Sequence, residues 1–222
     1  MKKNLNMVSI SELSPGDILL CYKNEKFSPI SKKIINITNS FYTHAAICFN
    51  SCIAAESNFL KGVAKIKIQD LANRYDHIAV FRQPDAWSPQ RICVMNHFID
   101  SLIKSKAKYN LLGVGKFKKN NLIHEQSLTN ILNEFFNNTY VVPLIVKKSY
   151  FCSELVVNCF IKTGFIDPSA AVIYKADTIS PGALGNDPTF GTFYGYISTK
   201  KNYSVPITDE FFKRSRFNEI FY

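Results

Sequence analysis

Three residues of this chain have the types and neighbourhoods that nucleophilic chemistry needs. Cys152 lies in Tyr150-Phe151-Cys152-Ser153-Glu154-Leu155, where an amphipathic helix is due to begin. A thiol at a helix N-terminus feels the positive end of the helix dipole, which favours the thiolate, its reactive form. Taken alone, a cysteine beside an apolar helix is more often a packing residue. His44 stands in Phe41-Tyr42-Thr43-His44-Ala45-Ala46-Ile47. At the opening of a strand it can project into a cleft at the end of a sheet. Glu56 interrupts Ile53-Ala54-Ala55-Glu56-Ser57. A carboxylate in so apolar a strand must meet solvent, an edge or a partner, because burying it unpaired is costly. A hairpin turn at Asn50-Ser51 sets position 44 roughly opposite position 57, so Glu56 comes close to His44. Whether both side chains reach the same face depends on register. A thiol, a base and an acid that orients the base are the parts of an acyl-transfer site.

Other candidates read as structural. Cys159 falls on the apolar side of the same helix and is assigned to packing. Ser153 and Glu154 cap or pack the helix start. His77, His97 and His124 read as surface residues. His44, Cys48 and Cys52 are four apart, and Cys21 sits on a neighbouring strand. That spacing gathers ligands on a helix but not on strands broken by a turn, and it lacks the tight pairs of a structural zinc site. No metal and no cofactor are expected.

These residues need elements to hold them. Ser14-Pro15-Gly16-Asp17 is a turn that launches a buried strand, Ile18–Tyr22. Phe27–Asn39 has helical apolar spacing. Strands are predicted over His44–Phe49, Cys52–Ser57, Val63–Gln69 and Ile78–Phe81. Ser88-Pro89 opens a helix, with an N-cap followed by Pro at the first position, running to about Lys106. Ser127 opens a second helix that Asn137-Asn138 stops. Between them, Tyr109–Glu125 is rich in Lys and Asn and reads as a loop or insertion facing the substrate. The helix at Cys152 ends near Gly164. The tail Pro181–Tyr222 reads as turns with a strand around Phe193–Ile197. The sum is one α+β domain over residues 1–222: an antiparallel sheet of five or six strands packed against helices.

The set Gly16-Asp17-Ile18-Leu19-Leu20, Tyr42-Thr43-His44-Ala45-Ala46-Ile47, Glu56 and Phe151-Cys152-Ser153-Glu154-Leu155-Val156 resembles the permuted papain-like amidases related to YiiX and YaeF. Lys108-Tyr109-Asn110 adds to it. These enzymes belong to the NlpC/P60 superfamily, which also includes the lecithin–retinol acyltransferase-like enzymes. The likeness covers about residues 13–200. It implies a circularly permuted papain-like fold, with the His strand ahead of the Cys helix. It further implies Cys152 as nucleophile, His44 as general base and Glu56 as the group that orients the imidazole. Backbone N–H groups at the start of the Cys152 helix would meet the oxyanion. Tyr22, after the first strand, is a candidate side-chain donor. The implied activity is a cysteine amidase or peptidase acting on a peptide or cell-wall peptide through a thioacyl-enzyme. The same chemistry serves a lipid-directed acyltransferase, phospholipase or thioesterase. A protein of another class, a non-catalytic lipid- or peptide-binding module, would keep the fold without the reaction.

Composition bounds these readings. Of 222 residues, 46% are hydrophobic, with 18 Phe and 11 Tyr, enough apolar material for a sizeable core. The net charge of +10 favours anionic partners such as a phospholipid surface or an acidic polymer. The Lys and Arg residues are scattered in small clusters (Lys104–Lys108, Lys116–Lys119, Lys213–Arg216), so a dedicated nucleic-acid groove is not expected. Six cysteines without a CxxC pair read as free thiols in a reducing compartment. The N-terminal Met1–Asn6 is basic but lacks a signal peptide's apolar stretch. No segment reaches the roughly 18 apolar residues of a membrane span. The expectation is a cytoplasmic chain, with export by a signal-independent route left open.

Overall fold

The computed structural model describes residues 6–23, 29–38, 40–137, 147–167, 170 and 173–214. Eight strands and six α-helices occur among them: β1 (Ile18–Tyr22), α1 (Pro29–Thr38), β2 (Tyr42–Cys48), β3 (Ile53–Asn58), β4 (Gly62–Lys67), α2 (Ile68–Ala72), β5 (His77–Arg82), α3 (Pro89–Lys104), β6 (Lys108–Tyr109), α4 (Leu111–Phe136), β7 (Ser149–Tyr150), α5 (Cys152–Lys162), α6 (Pro181–Asn186) and β8 (Thr192–Ile197). Six strands form one sheet in the order β4-β3-β2-β1-β5-β8. Every pairing in it is antiparallel. The short β6 and β7 pair in parallel.

Both faces of the sheet are covered, which explains why its central strands are apolar without alternation. On one face Leu19, Cys21, Ala46, Ile78 and Val80 pack against Ile68 and Leu71 of α2 and against Val8 and Leu13 ahead of β1. On the other face Leu20, Ile47, Ala55 and Phe81 pack against Val156 and Phe160 of α5, Met95 and Ile99 of α3, and Leu184 of α6. The protein is therefore α+β, an antiparallel sheet packed against helices. Among the described residues, no helix is long and apolar enough to cross a membrane.

The turn before β1 shows what its motif does. Gly16 has φ +88°, and a Cβ there would lie 2.2 Å from the Trp87 ring, so only glycine fits. Asp17 accepts from Ser14 N–H and takes two hydrogen bonds from Arg82, at 2.8 and 2.7 Å. It ties the start of β1 to the end of β5. Gly16-Asp17 thus builds the sheet rather than the site.

The expected strands agree with the observed ones to within two residues; the one expected over Val63–Gln69 ends at Lys67 because α2 begins at Ile68. The expected helix Phe27–Asn39 appears as Pro29–Thr38, and its two end residues lie outside the described residues. Asn137 caps the end of α4, while Asn138 lies outside them. The main correction concerns Tyr109–Glu125. It is no loop: all but its first two residues belong to α4, which runs unbroken from Leu111 to Phe136. Asn110 starts it, its side chain accepting from Gly113 N–H at 2.8 Å. The polar composition reflects a helix with one wet side.

Candidate active site

His44 and Glu56 sit on paired strands, β2 and β3. The hairpin between them turns through three residues rather than two, since Phe49 N–H and Asn50 N–H both reach Ile53 O. The Asn50 side chain accepts from the N–H groups of Cys52 and Ile53, which holds the longer turn. The register becomes Ala46 opposite Glu56, one residue away from the two-residue hairpin. Because the side-chain period is two, this slip decides the outcome: positions 44 and 56 now share a face. His44 Nε2–H donates to Glu56 Oε2 at 2.8 Å. Asn58, two residues on and on the same face, donates to Oε1 at 2.8 Å, and Arg74 donates to it at 3.1 Å. The buried carboxylate is thus met on both oxygens. The Tyr75 ring lies parallel to the His44 imidazole at 6.0 Å.

Cys152 is the first residue of α5 and is 2% exposed. Its lead-in is fixed on several sides. Ser57 Oγ, beside Glu56 on β3, donates to Tyr150 O at 2.7 Å. Glu154 Oε2 accepts from Phe151 N–H at 3.1 Å, and Lys147 donates to Glu154 Oε1 at 2.5 Å. Ser153 Oγ donates to Ile179 O at 2.7 Å. Ser153 and Glu154 therefore cap and anchor the helix, as their types suggest. The first-turn N–H groups of a helix have no intrahelical acceptor and point past its N-terminus, so α5 directs such groups around Cys152.

The structure brings Cys152, His44 and Glu56 together. His44 interacts electrostatically with Cys152 as well as with Glu56. With Nε2 committed to Glu56, Nδ1 is the nitrogen left for the thiol. Burial is the largest influence on His44 and disfavours its charge, but its interactions with Cys152 and Glu56 outweigh it and push its pKa up to about 10. Burial likewise works against the Glu56 charge. Its bond to His44, the His44 charge, Asn58 and Arg74 prevail and hold the carboxyl down at about 2. Both neighbours thus favour the charged form of the imidazole.

Tyr22 is placed elsewhere. Its ring stacks on His77 at 4.3 Å and 17°, in a cluster with Tyr42 and Phe41. Burial above all, then Asp209, Asp76 and Glu210, push its pKa up. The phenol that shares a groove with Cys152 is Tyr109, the last residue of β6. Burial, reinforced by the Cys152 charge, raises its pKa above the ordinary range. Tyr109 falls in the Lys108-Tyr109-Asn110 element, a signal available in the sequence. Asn58 was legible by its period-two spacing from Glu56. Arg74 was not, because nothing local marks the turn after α2 as a neighbour of β3.

Two histidines expected at the surface are buried. His124, on α4, bonds Ile173 O at 3.2 Å. His77 joins Asp209 at 3.1 Å with both side chains fully enclosed. Cys48 is buried and Cys52 exposed. Among the described residues, no three His, Cys, Asp or Glu side chains gather as metal ligands.

The fold and the site define a class: an α+β protein with a buried His–carboxylate pair set against a thiol at a helix start. No family model matches the chain. Over 173 residues, 73% of this chain, the sequence is 25% identical to the probable lipoprotein peptidase YaeF of Escherichia coli (strain K12). The match spans 61% of that protein's length.

Proposed function

We propose that the chain is a cysteine amidase or peptidase of the permuted papain-like NlpC/P60 type, a single hydrolase domain over residues 1–222, using Cys152, His44 and Glu56. The observation that carries this is His44 hydrogen-bonded to Glu56, with Cys152 close enough to act on the same imidazole. The chain order supports the permuted arrangement, since the His strand precedes the Cys helix. The similarity to a probable lipoprotein peptidase supports an amide or peptide substrate.

The reaction follows from the charges. The Cys152 sulfur attacks the acyl carbon, and the carbonyl electron pair moves to oxygen. Backbone N–H groups at the start of α5 stabilise that oxyanion, and Tyr109, which lines the groove with Cys152, is the candidate side-chain donor. The pair returns, the bond to the leaving group breaks, and the His44 imidazolium gives its proton to the departing nitrogen or oxygen. A thioacyl-enzyme remains. Water attacks it, His44 takes the proton, and the acid product leaves with the sulfur restored. Glu56 holds the tautomer and stabilises the imidazolium throughout.

Acid-quenched intact mass after mixing with amide, ester and thioester donors tests this directly. A thioacyl adduct localised to Cys152, and absent in Cys152→Ala, is expected. No adduct on Cys152 with any donor class would contradict it.

A further inference from the structure

We infer that the tip of the β3–β4 hairpin and the adjoining start of α4 form a docking surface for an anionic phospholipid bilayer. The turn between these strands holds Phe59, Leu60 and Lys61. Phe59 is 56% exposed and Leu60 88% exposed. Asn58 fixes the turn: its Oδ1 accepts from Leu60 N–H at 3.0 Å and from Lys61 N–H at 2.9 Å. Gly62 follows at φ +68°, and a Cβ there would lie 2.1 Å from Ala107 O, so the tip seats directly on the chain entering β6. Val63 N–H donates to that same Ala107 O at 2.9 Å. Phe59 meets Tyr109 of β6 edge to face at 6.4 Å and 81°. Leu111, two residues beyond Tyr109, is 47% exposed. Phe59 thus joins the hairpin tip to the segment that carries Leu111.

Charge decides what covers this surface. Lys61 on the tip and Lys104, Lys106 and Lys108 on the facing segment are all exposed. Residues 58–62 and 104–111 contain no Asp or Glu. Asp100, one helical turn before Lys104, is already paired with Lys65 at 2.6 Å. Protruding apolar side chains among lysines match a bilayer. The apolar groups enter the acyl boundary, while the lysine stems lie along it and hold their ammonium groups among anionic headgroups. A second copy of the chain fits less well, because a two-fold contact would set these lysines against their own equivalents. The net charge of +10 adds a longer-range attraction in the same sense. Tyr109 also lines the groove with Cys152, so docking at this tip holds that groove beside the headgroup layer.

The test is co-sedimentation of the full chain with vesicles of phosphatidylcholine alone and of phosphatidylcholine mixed with phosphatidylserine. Binding is expected on the mixed vesicles, weak on the neutral ones, and falling as salt is raised. Lys61→Gln and Lys108→Gln should each weaken it by about fivefold, and Leu60→Ser by about tenfold. Ile207→Ser removes a comparably exposed side chain from the C-terminal segment and should change nothing. All four positions are exposed, and circular dichroism checks that each variant keeps its fold. No binding to the mixed vesicles, or binding that Leu60→Ser and Lys61→Gln leave unchanged, would overturn the assignment. So would a wild-type dimer in analytical ultracentrifugation that Leu60→Ser dissociates, since a second copy would then cover the tip. None of these readouts uses Cys152, so the hydrolase reading stands or falls separately.

Discussion

Among the described residues, two buried histidine–carboxylate pairs lie at the same end of the sheet, and they differ in what completes them. In the first, His44 spends one nitrogen on Glu56 and keeps the other for a thiol. In the second, His77 gives Nε2 to Asp209 and Tyr42, and Nδ1 meets the Tyr203 hydroxyl. Asp209 is further held by Tyr196 at 2.5 Å and by Phe211 N–H at 3.0 Å. The His77 cluster has no nitrogen left over. It fastens the C-terminal segment around Asp209 to β2, β5 and β8. A His–carboxylate pair is therefore not a signature of chemistry. The third partner decides, and here the thiol at the start of α5 separates the pair proposed as reactive from the other.

That contrast can be broken experimentally. The largest expected effect is His44→Ala, which should slow thioacylation of Cys152 by about 10²–10⁴-fold while circular dichroism stays native. Asp209→Ala should do the reverse. It leaves buried partners uncompensated and should cost about 3–5 kcal/mol by urea denaturation, with the labelling rate of Cys152 unchanged per folded molecule. If Asp209→Ala silenced Cys152 without destabilising the protein, the two pairs would not divide the labour this way.

Glu56→Gln comes next. It removes the charge that holds the imidazolium, and thioacylation should fall by about 10²-fold or more. The same variant sharpens the pH behaviour. The depressed Glu56 pKa contributes stability that is present above its ordinary 4.5 and is lost as pH falls through about 2. Asp209, also lowered, acts in the same sense. The raised His44 pKa contributes stability that is complete below 6.5 and is lost as pH rises through about 10. Urea midpoints of the wild type should therefore decline between pH 6.5 and 10, and the decline should shrink in Glu56→Gln. The smallest effect belongs to Arg74→Ala. Its guanidinium is half in solvent, so the change should cost about 0–1 kcal/mol in stability and leave Asn58 and His44 to hold Glu56.

Much of this arrangement could be read from residue types and spacing. The apolar runs place the strands, and Ser88-Pro89 and the Cys152 segment mark helix starts. His44 and Glu56 fall on neighbouring strands. Their shared face was not legible, because it turns on whether the Asn50 loop holds two residues or three, and that depends on side-chain bonds within the turn. The helix over Leu111–Phe136 was missed in its first half, where Lys and Asn break up the apolar spacing and Leu111, Leu122 and Ile123 are exposed. His77 looked like an exposed strand residue because its partner Asp209 lies 132 positions away. Long-range polar pairs of this kind leave no local trace.

The central claim is that His44 activates Cys152. The measurement that tests it most directly is the pH dependence of iodoacetamide labelling at all six cysteines, read by mass spectrometry in wild type and His44→Ala. The expected result is that Cys152 labels fastest at neutral pH, despite its burial, and loses that lead in the variant. A Cys152 that is inert in the folded wild type, or that labels identically without His44, would contradict the account.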